Sequence, residues 1–168
     1  MGKIGIFYGS SSGNTQQVAE TIASKLNTSD IFDVANVSIE KLLNYDILFL
    51  GSSTWGIGDL QDDWDGFIHQ LSKQDLSNKK VAVFGTGDSS SYPDSFCDAI
   101  GIIAKAAEKA GATIIGSNVD ASDYSFDESQ AVVNGKFTGL PLDIDNEDDK
   151  TNNRIEKWVE QIKSETDI

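Results

Sequence analysis

The sequence predicts one α/β domain, residues 1–168, in which helices cover both faces of a parallel sheet. Short apolar runs alternate with segments whose apolar residues recur every three or four positions, which is the order of β-α units. The clearest apolar runs are continuous, as in strands that are buried on both faces. Three of them end in polar, glycine-containing loops at residues 9–15, 51–59 and 85–95. Because parallel sheets bind ligands beyond the carboxyl ends of their strands, these loops locate a candidate site.

Five segments are predicted to form the strands of this sheet. They are residues 3–8, the weaker candidate 31–37, and residues 46–51, 80–85 and 113–116. The polar segment from Asp120 to Leu142 does not fit the alternation and contains the turn signal Asn134-Gly135. We therefore predict an excursion within the last strand, not a second domain.

Four segments have the apolar spacing of a helix with one buried face. Their apolar residues are Val18, Ile22 and Leu26; Trp64, Phe67, Ile68 and Leu71; Phe96, Ile100, Ile103 and Ala107; and Ile155, Trp158, Val159 and Ile162. Gly111 is expected to close the third helix, because glycine readily adopts the left-handed conformation that ends helices. The acidic residues 143–149 lack the central Gly and the final Glu of an EF-hand loop, so we predict a solvated acidic face there.

Charge and composition exclude several classes of protein. The net charge of -14 disfavours binding to nucleic acid and to anionic lipid, and would attract a basic protein. No apolar run approaches the roughly 18 residues of a membrane helix, and the N-terminus has no signal-peptide layout. The only cysteine, Cys97, excludes an internal disulfide and is consistent with a cytoplasmic location.

The first loop, Ser10-Ser11-Ser12-Gly13-Asn14-Thr15, joins a predicted strand to the N-terminus of a helix. Exposed N–H groups and the helix dipole favour an anion there, and the hydroxyl groups add neutral donors. The loop lacks the lysine of the G-x-x-x-x-G-K-[ST] motif, so hydrolysis of nucleoside triphosphates is not expected. A single terminal phosphate fits better; a polar turn without a ligand is the alternative.

The second and third loops place one aromatic residue each at the same edge of the sheet. They read Gly51-Ser-Ser-Thr-Trp-Gly-Ile-Gly-Asp59 and Gly85-Thr-Gly-Asp-Ser-Ser-Ser-Tyr-Pro-Asp94. Ser90 replaces the last glycine of G-x-G-x-x-G, so the third loop is not a dinucleotide fingerprint. Trp55 and Tyr92 could sandwich an aromatic cofactor, with Asp88 accepting hydrogen bonds from ring N–H groups. Burial in a core is the competing explanation for Trp55.

Together these motifs resemble those of the flavodoxin family, over essentially the whole chain. Residues 9–15 are similar to the family's phosphate loop, T/S-x-T/S-G-x-T. Residues 53–64 and residues 85–92 resemble its two flavin loops. Residues 134–139, followed by residues 149–158, resemble the long-chain subgroup, in which a segment, here about 120–139, interrupts the fifth strand. The resemblance implies a doubly wound five-stranded parallel sheet of order 2-1-3-4-5.

The resemblance also implies non-covalent binding of flavin mononucleotide (FMN). The serines of the first loop, Asn14 and Thr15 would hold the phosphate. Trp55 would lie on the inner face of the flavin, Tyr92 on its outer face, and Asp88 at its pyrimidine edge. The implied cofactor-binding residues are Ser10, Ser11, Ser12, Gly13, Asn14, Thr15, Ser53, Thr54, Trp55, Gly56, Ile57, Gly58, Thr86, Gly87, Asp88, Tyr92 and Ser95.

The function implied is that of a low-potential electron carrier, a cytoplasmic monomer that is not an enzyme. It would pass single electrons, through the semiquinone/hydroquinone couple, between basic redox proteins such as a ferredoxin/flavodoxin-NADP reductase or other oxidoreductases. One alternative is an FMN-dependent NAD(P)H:quinone reductase of the same fold, against which a Tyr92 cap on the flavin argues. Another is a phosphoacceptor signalling domain, but residues 51–54 supply no acceptor aspartate at the end of the third strand.

Overall fold

The structure is a computed structural model that describes residues 2–166 and 168. Its strands are β1 (Ile4–Gly9), β2 (Ile31–Asp33), β3 (Ile47–Trp55), β4 (Asp59–Leu60), β5 (Lys80–Thr86), β6 (Thr113–Ile115), β7 (Val119–Asp120), β8 (Val132–Val133), β9 (Lys136–Phe137) and β10 (Leu140–Leu142). Its α-helices are α1 (Asn14–Leu26), α2 (Asp62–Leu71), α3 (Asp98–Lys109) and α4 (Ile144–Thr166). Short 3-10 helices cover residues 39–44 and 121–123. Each predicted strand and helix is present, with bounds shifted by a few residues and with α4 beginning well before its apolar stripe.

The main sheet is parallel and has the predicted topology. Strand β1 lies between β2 and β3, and β3 pairs in turn with β5. Strands β6 and β10 both pair with β5, β6 opposite residues 80–82 and β10 opposite residues 84–86. The two short strands are therefore halves of one fifth strand, and the chain leaves the sheet between them. This confirms both the order 2-1-3-4-5 and the interrupted last strand.

The sheet separates two hydrophobic cores, because side chains alternate between the two faces of a strand. Along β3, Leu48 and Leu50 pack with α2 and α3 on one face, while Phe49 packs with α1 and α4 on the other. All three are fully buried. Trp64 of α2 and Trp158 of α4 lie in these two cores, as their helical stripes predicted. Because β1, β3 and β5 pair in parallel, their carboxyl ends lie together at one edge of the sheet.

The segment between the two halves of the fifth strand forms its own small antiparallel sheet, β7-β9-β8. Two aromatic residues of this segment pack on Phe96, which lies just before α3. The centroid of the Phe96 ring lies 5.5 Å from that of Phe126 and 6.1 Å from that of Phe137. Gly111, with φ of 99°, follows α3 and closes it as predicted. Helix α4 is kinked at Glu147, where φ is -134° and ψ is 42°.

Candidate cofactor site at the carboxyl edge of the sheet

The first loop connects β1 to α1 and leaves the N-terminus of α1 open. Gly13 precedes the helix with φ of 95°, a left-handed conformation that glycine adopts without a steric penalty. Its N–H donates to Ser10 Oγ at 3.0 Å, and Ser11 and Ser12 are exposed. Thr15 is buried instead, and its hydroxyl lies 3.1 Å from that of Thr86 on β5. The exposed serines and the free N–H groups of the first turn form a cradle for an anion.

The second loop is a hairpin that turns back from β3 into β4. Thr54 pairs with Leu60 and Trp55 with Asp59. The tip projects two apolar side chains, since Trp55 is 43% exposed and Ile57 is 89% exposed. Burial in a core, the competing explanation for Trp55, is therefore wrong. Large apolar groups that stay open to solvent in this way are typical of a surface that a ligand or a partner covers.

The third loop is held in shape by its own aspartate. Asp88 Oδ1 accepts hydrogen bonds from the N–H groups of Ser90 and Ser91, both at 3.1 Å. The Asp88 carbonyl accepts from the N–H of Tyr92 at 2.9 Å. The side-chain amide of Asn146 also donates to Asp88, and this hydrogen bond above all lowers the pKa of the Asp88 carboxyl. Asp88 is therefore a charged acceptor at neutral pH, and Tyr92, 42% exposed, stands beside it.

The three loops meet around a small cavity of about 100 Å³. Nine of the predicted site residues line it: Ser12, Asn14, Ser53, Thr54, Trp55, Thr86, Gly87, Asp88 and Tyr92. Two further lining residues, Ile144 and Asp145, come from the start of α4 and were not predicted. Ser95 is buried and does not line the cavity; its N–H donates to the carbonyl of Tyr92 at 3.4 Å.

The remaining predicted residues lie in the same loops but do not line this cavity. Ser10, Ser11, Gly13 and Thr15 belong to the first loop, whose other members reach the cavity. Gly56, Ile57 and Gly58 form the tip of the second loop. Gly56 and Gly58 have φ of 52° and 86°, so the turn of this hairpin depends on glycine.

One polar atom of the cavity wall has no partner in the described part of the chain. The Ser53 hydroxyl oxygen is buried, yet it makes no hydrogen bond with other described residues. Leaving a buried hydroxyl unpaired costs about 1–3 kcal/mol. A ligand with a polar edge would remove this cost, so the site fits a cofactor that combines flat apolar faces with hydrogen-bonding groups.

Gln61 connects the first and second loops, and the sequence analysis missed this role. The side chain is almost fully buried, and its Nε2 donates to Ser11 Oγ at 3.0 Å. Its Oε1 accepts from the N–H of Asp63 at 3.1 Å, so the same side chain caps α2. A polar residue directly before the predicted helix was the available signal. Gln61 thus holds the serine-rich first loop through Ser11.

The prediction of a solvated acidic face over residues 143–149 is wrong at Asp143, which is only 1% exposed. This carboxylate is buried because it has hydrogen-bond donors on both sides. The Ser89 hydroxyl donates to one oxygen, and the Asn146 amide donates to the other at 2.8 Å. Sequence spacing could not reveal this, since Ser89 lies 54 residues away in the chain.

Another cavity of the described part of the chain lies away from this edge of the sheet. Its volume is about 420 Å³, and it separates α4 from the excursion, with Tyr124 and Arg154 in its walls. Arg154 covers the Tyr124 ring, with Cζ 3.9 Å from the ring centroid, and pairs with Glu147 at 3.0 Å. None of the predicted site residues lines this cavity.

Residues 2–166 and 168 were also compared with the requirements of a metal site and of a membrane-spanning helix. These residues contain no group of three or more His, Cys, Asp or Glu side chains that could hold a metal ion. Within them, no helix is both long and apolar enough to cross a membrane.

An anion cradle and two exposed aromatic rings at the carboxyl edge of a doubly wound sheet define the class. Such an edge suits the class of proteins that bind a flat cofactor carrying a phosphate. Comparison with known proteins supplies the family. Residues 6–158 match the family model described as Flavodoxin. A flavodoxin from Synechocystis sp. is 43% identical over 166 residues, which cover 97% of each chain.

Other relatives give the same result. A flavodoxin from Buchnera aphidicola is 44% identical over 165 residues, 96% of each chain. The crystal structure of Fusobacterium nucleatum flavodoxin bound to flavin mononucleotide superposes with a TM-score of 0.91 at 30% identity, over 98% of this chain and 99% of that one. The chain belongs to the flavodoxin family.

Proposed function

We infer that this chain, acting as a single domain, binds FMN and carries electrons between redox proteins without turning over a substrate of its own. Membership of the flavodoxin family supports this function. One observation links this function to particular residues: Trp55, Tyr92 and the unpaired Ser53 hydroxyl line the same cavity. Bound FMN would supply the redox chemistry, while the protein holds it, orients it and sets its electrostatic surroundings.

The phosphate of FMN is assigned to the first loop. Ser10, Ser11, Ser12, Asn14 and Thr15 would hold it, together with the N–H groups at the start of α1. Among the described residues, no Lys or Arg lines the cavity. The phosphate charge would therefore be balanced by hydroxyl and amide donors and by the positive end of the helix dipole.

The ring system is assigned to the space between Trp55 and Tyr92, with Asp88 at its polar edge. Pockets for small ligands have volumes of about 300–1,000 Å³, and the cavity here measures only about 100 Å³. A flavin ring would therefore extend beyond the enclosed volume and lie against the solvent-exposed sides of Trp55 and Tyr92, both of which are about two-fifths exposed.

The carboxylates near the site would oppose a second electron, which adds negative charge. Six aspartates lie in or beside the loops: Asp59, Asp62, Asp63, Asp65, Asp88 and Asp94. One carboxylate at about 10 Å, with an effective dielectric near 40, costs an added negative charge roughly 0.8 kcal/mol. This corresponds to about 35 mV for one electron. Several together make the second reduction step strongly reducing.

The same surface is proposed to recognise redox partners. Electron transfer in this family takes place between proteins, and the partners proposed here are basic ones, such as a ferredoxin/flavodoxin-NADP reductase or other oxidoreductases. Ile57 and Trp55 give an exposed apolar centre, and the aspartates around it give a negative rim. Raising the salt concentration should slow electron transfer to a basic partner, because it screens this rim.

The chain is further proposed to be a monomer in the cytoplasm. Its only cysteine, Cys97, is buried, and burial raises the pKa of the thiol well above its usual value. A protonated, inaccessible thiol is inert. Sedimentation of the purified protein tests the monomer.

Reconstitution of the purified protein with FMN tests the proposal. We expect a yellow complex in which a redox titration resolves two one-electron steps. Replacing Asp59 and Asp65 by Lys should raise the second potential; an unchanged value would contradict the electrostatic argument. Oxidation of NAD(P)H by the holoprotein alone, with a quinone as acceptor, would instead favour the quinone reductase.

A further inference from the structure

The start of α4 is tied to the third loop by side chains that lie far apart in the sequence. Asp143 follows β10 directly and is buried. One carboxylate oxygen accepts from the Ser89 hydroxyl and the other from Asn146 Nδ2 at 2.8 Å. The same Nδ2 donates to Asp88 Oδ1 at 2.9 Å. We call these four residues the α4 bracket.

Asn146 occupies a position in the bracket that suits an amide. Its side-chain NH₂ carries two hydrogens, and it lies within hydrogen-bond distance of two carboxylates. An aspartate there would add a third negative charge and remove both donors. A buried carboxylate such as Asp143 also needs donors, because an unpaired one is strongly destabilising.

Backbone hydrogen bonds also hold the bracket in place. The N–H groups of Asn146 and Glu147 donate to the Asp143 carbonyl at 3.3 and 2.7 Å. The chain then kinks at Glu147, which Lys150 and Arg154 hold at 2.7 and 3.0 Å. The turn that carries Asn146 is therefore fixed from its own helix.

Asp88 connects the bracket to the loop that carries Tyr92. The Asp88 carboxylate shapes its loop by accepting from two N–H groups, and its carbonyl accepts from the N–H of Tyr92. A backbone hydrogen bond adds a further tie, from the N–H of Gly87 to the carbonyl of Leu142 at 3.0 Å. The first loop has no hydrogen bond to Asp143 or Asn146 among the described residues.

We propose that Asn146 is a positioning residue for the cofactor site, which holds Asp88 and the loop carrying Tyr92 in the arrangement that accepts the flavin ring. This inference rests on the flavin site proposed above. Preorganising a loop raises affinity because the loop does not have to be ordered on binding. The effect is confined to the ring, since the phosphate cradle is built from another loop and another helix.

The test compares three ligands on the apoprotein of Asn146→Ala: FMN, riboflavin, which has the ring without the phosphate, and inorganic phosphate. The Asn146 side chain is exposed, and Asp143 keeps its hydrogen bond from the Ser89 hydroxyl, so we expect the fold to survive the loss of this side chain. We expect the Kd values for FMN and riboflavin to rise by the same factor, about fivefold, with the Kd for phosphate unchanged. Asn146→Asp should weaken binding of both flavins further, because it places a carboxylate beside Asp88 and Asp143.

Asn153→Ala is the matched control, because Asn153 is also an exposed asparagine of α4 and its side chain makes no hydrogen bond with other described residues. It should leave all three Kd values unchanged. A loss of riboflavin affinity below twofold in Asn146→Ala, or an equal loss for phosphate, would overturn the inference. Wild-type protein that binds neither FMN nor riboflavin would overturn the proposed function as well, so the two failures are distinguishable.

Discussion

Removing the ring of Trp55 is expected to weaken FMN binding about a hundredfold. Trp55 is 43% exposed. A tryptophan has about 250 Å² of surface, so about 110 Å² remains for a ligand to cover. At about 25 cal/mol per Å², covering this area contributes about 2.7 kcal/mol, which is a factor of about 100 in Kd. Ring stacking would add to this value, and incomplete coverage would reduce it.

The assay is a titration of the apoprotein with FMN, followed by quenching of the flavin fluorescence. Trp55→Phe, which keeps an aromatic ring, should fall between the wild type and Trp55→Ala. Leu43→Ala is the control, because Leu43 has the same exposed fraction but lies before β3, at the opposite edge of the sheet. If Trp55→Ala bound FMN within threefold of the wild type, the placement of the ring against this residue would be refuted.

Three further predictions concern the apoprotein. Gly58→Ala, with a new Cβ 2.5 Å from the Asp98 carboxylate, should lower the free energy of unfolding in urea more than Gly135→Ala, which has positive φ but open space. Thr15→Val should lower the free energy of unfolding by about 1 kcal/mol, because it leaves the buried Thr86 hydroxyl without its partner. Adding Thr86→Val removes that unpaired hydroxyl and should recover part of the loss. The pKa of Asp88 is lowered in the folded state, so its carboxylate should stabilise the fold fully above about pH 4. This contribution should be lost as the pH falls through the folded pKa, and an NMR titration of the Asp88 carboxyl measures that pKa.

Each of these predictions has a clear contrary result. Equal urea midpoints for the two glycine variants would exclude the steric contact with Asp98. If the double variant lost as much unfolding free energy as the two single variants together, the Thr15 and Thr86 hydroxyls would not depend on each other. An Asp88 carboxyl that titrates at its ordinary pKa would show that the hydrogen bond from Asn146 does not stabilise its charged form.

Much of the candidate site could be predicted because it is built from short local patterns. The serines before α1 are adjacent in the sequence, and a strand followed by a helix places their N–H groups together. Trp55 and Tyr92 follow the ends of β3 and β5, and parallel strands bring such ends to one edge. The alternation of strands and helices in the sequence was enough to place both aromatic residues at this edge.

The contacts that hold the loops were not predictable in the same way. Gln61 reaches Ser11 across 50 residues, and Asn146 reaches Asp88 across 58. Neither spacing corresponds to a helical or strand period, so no pattern marks these pairs. Asp143 shows the same limit, because its place in an acidic run indicated exposure, whereas the fold buries it.

The sequence by itself determined the parallel α/β architecture, the interrupted fifth strand and the residues of the three loops. These depend on local periodicity, on turn residues and on the resemblance to a family. Tertiary structure alone decided which side chains lock those loops, which hydroxyl stays unpaired and how far the aromatic rings stand open. These properties depend on distances between elements far apart in the chain, and such distances are set only when the two cores pack.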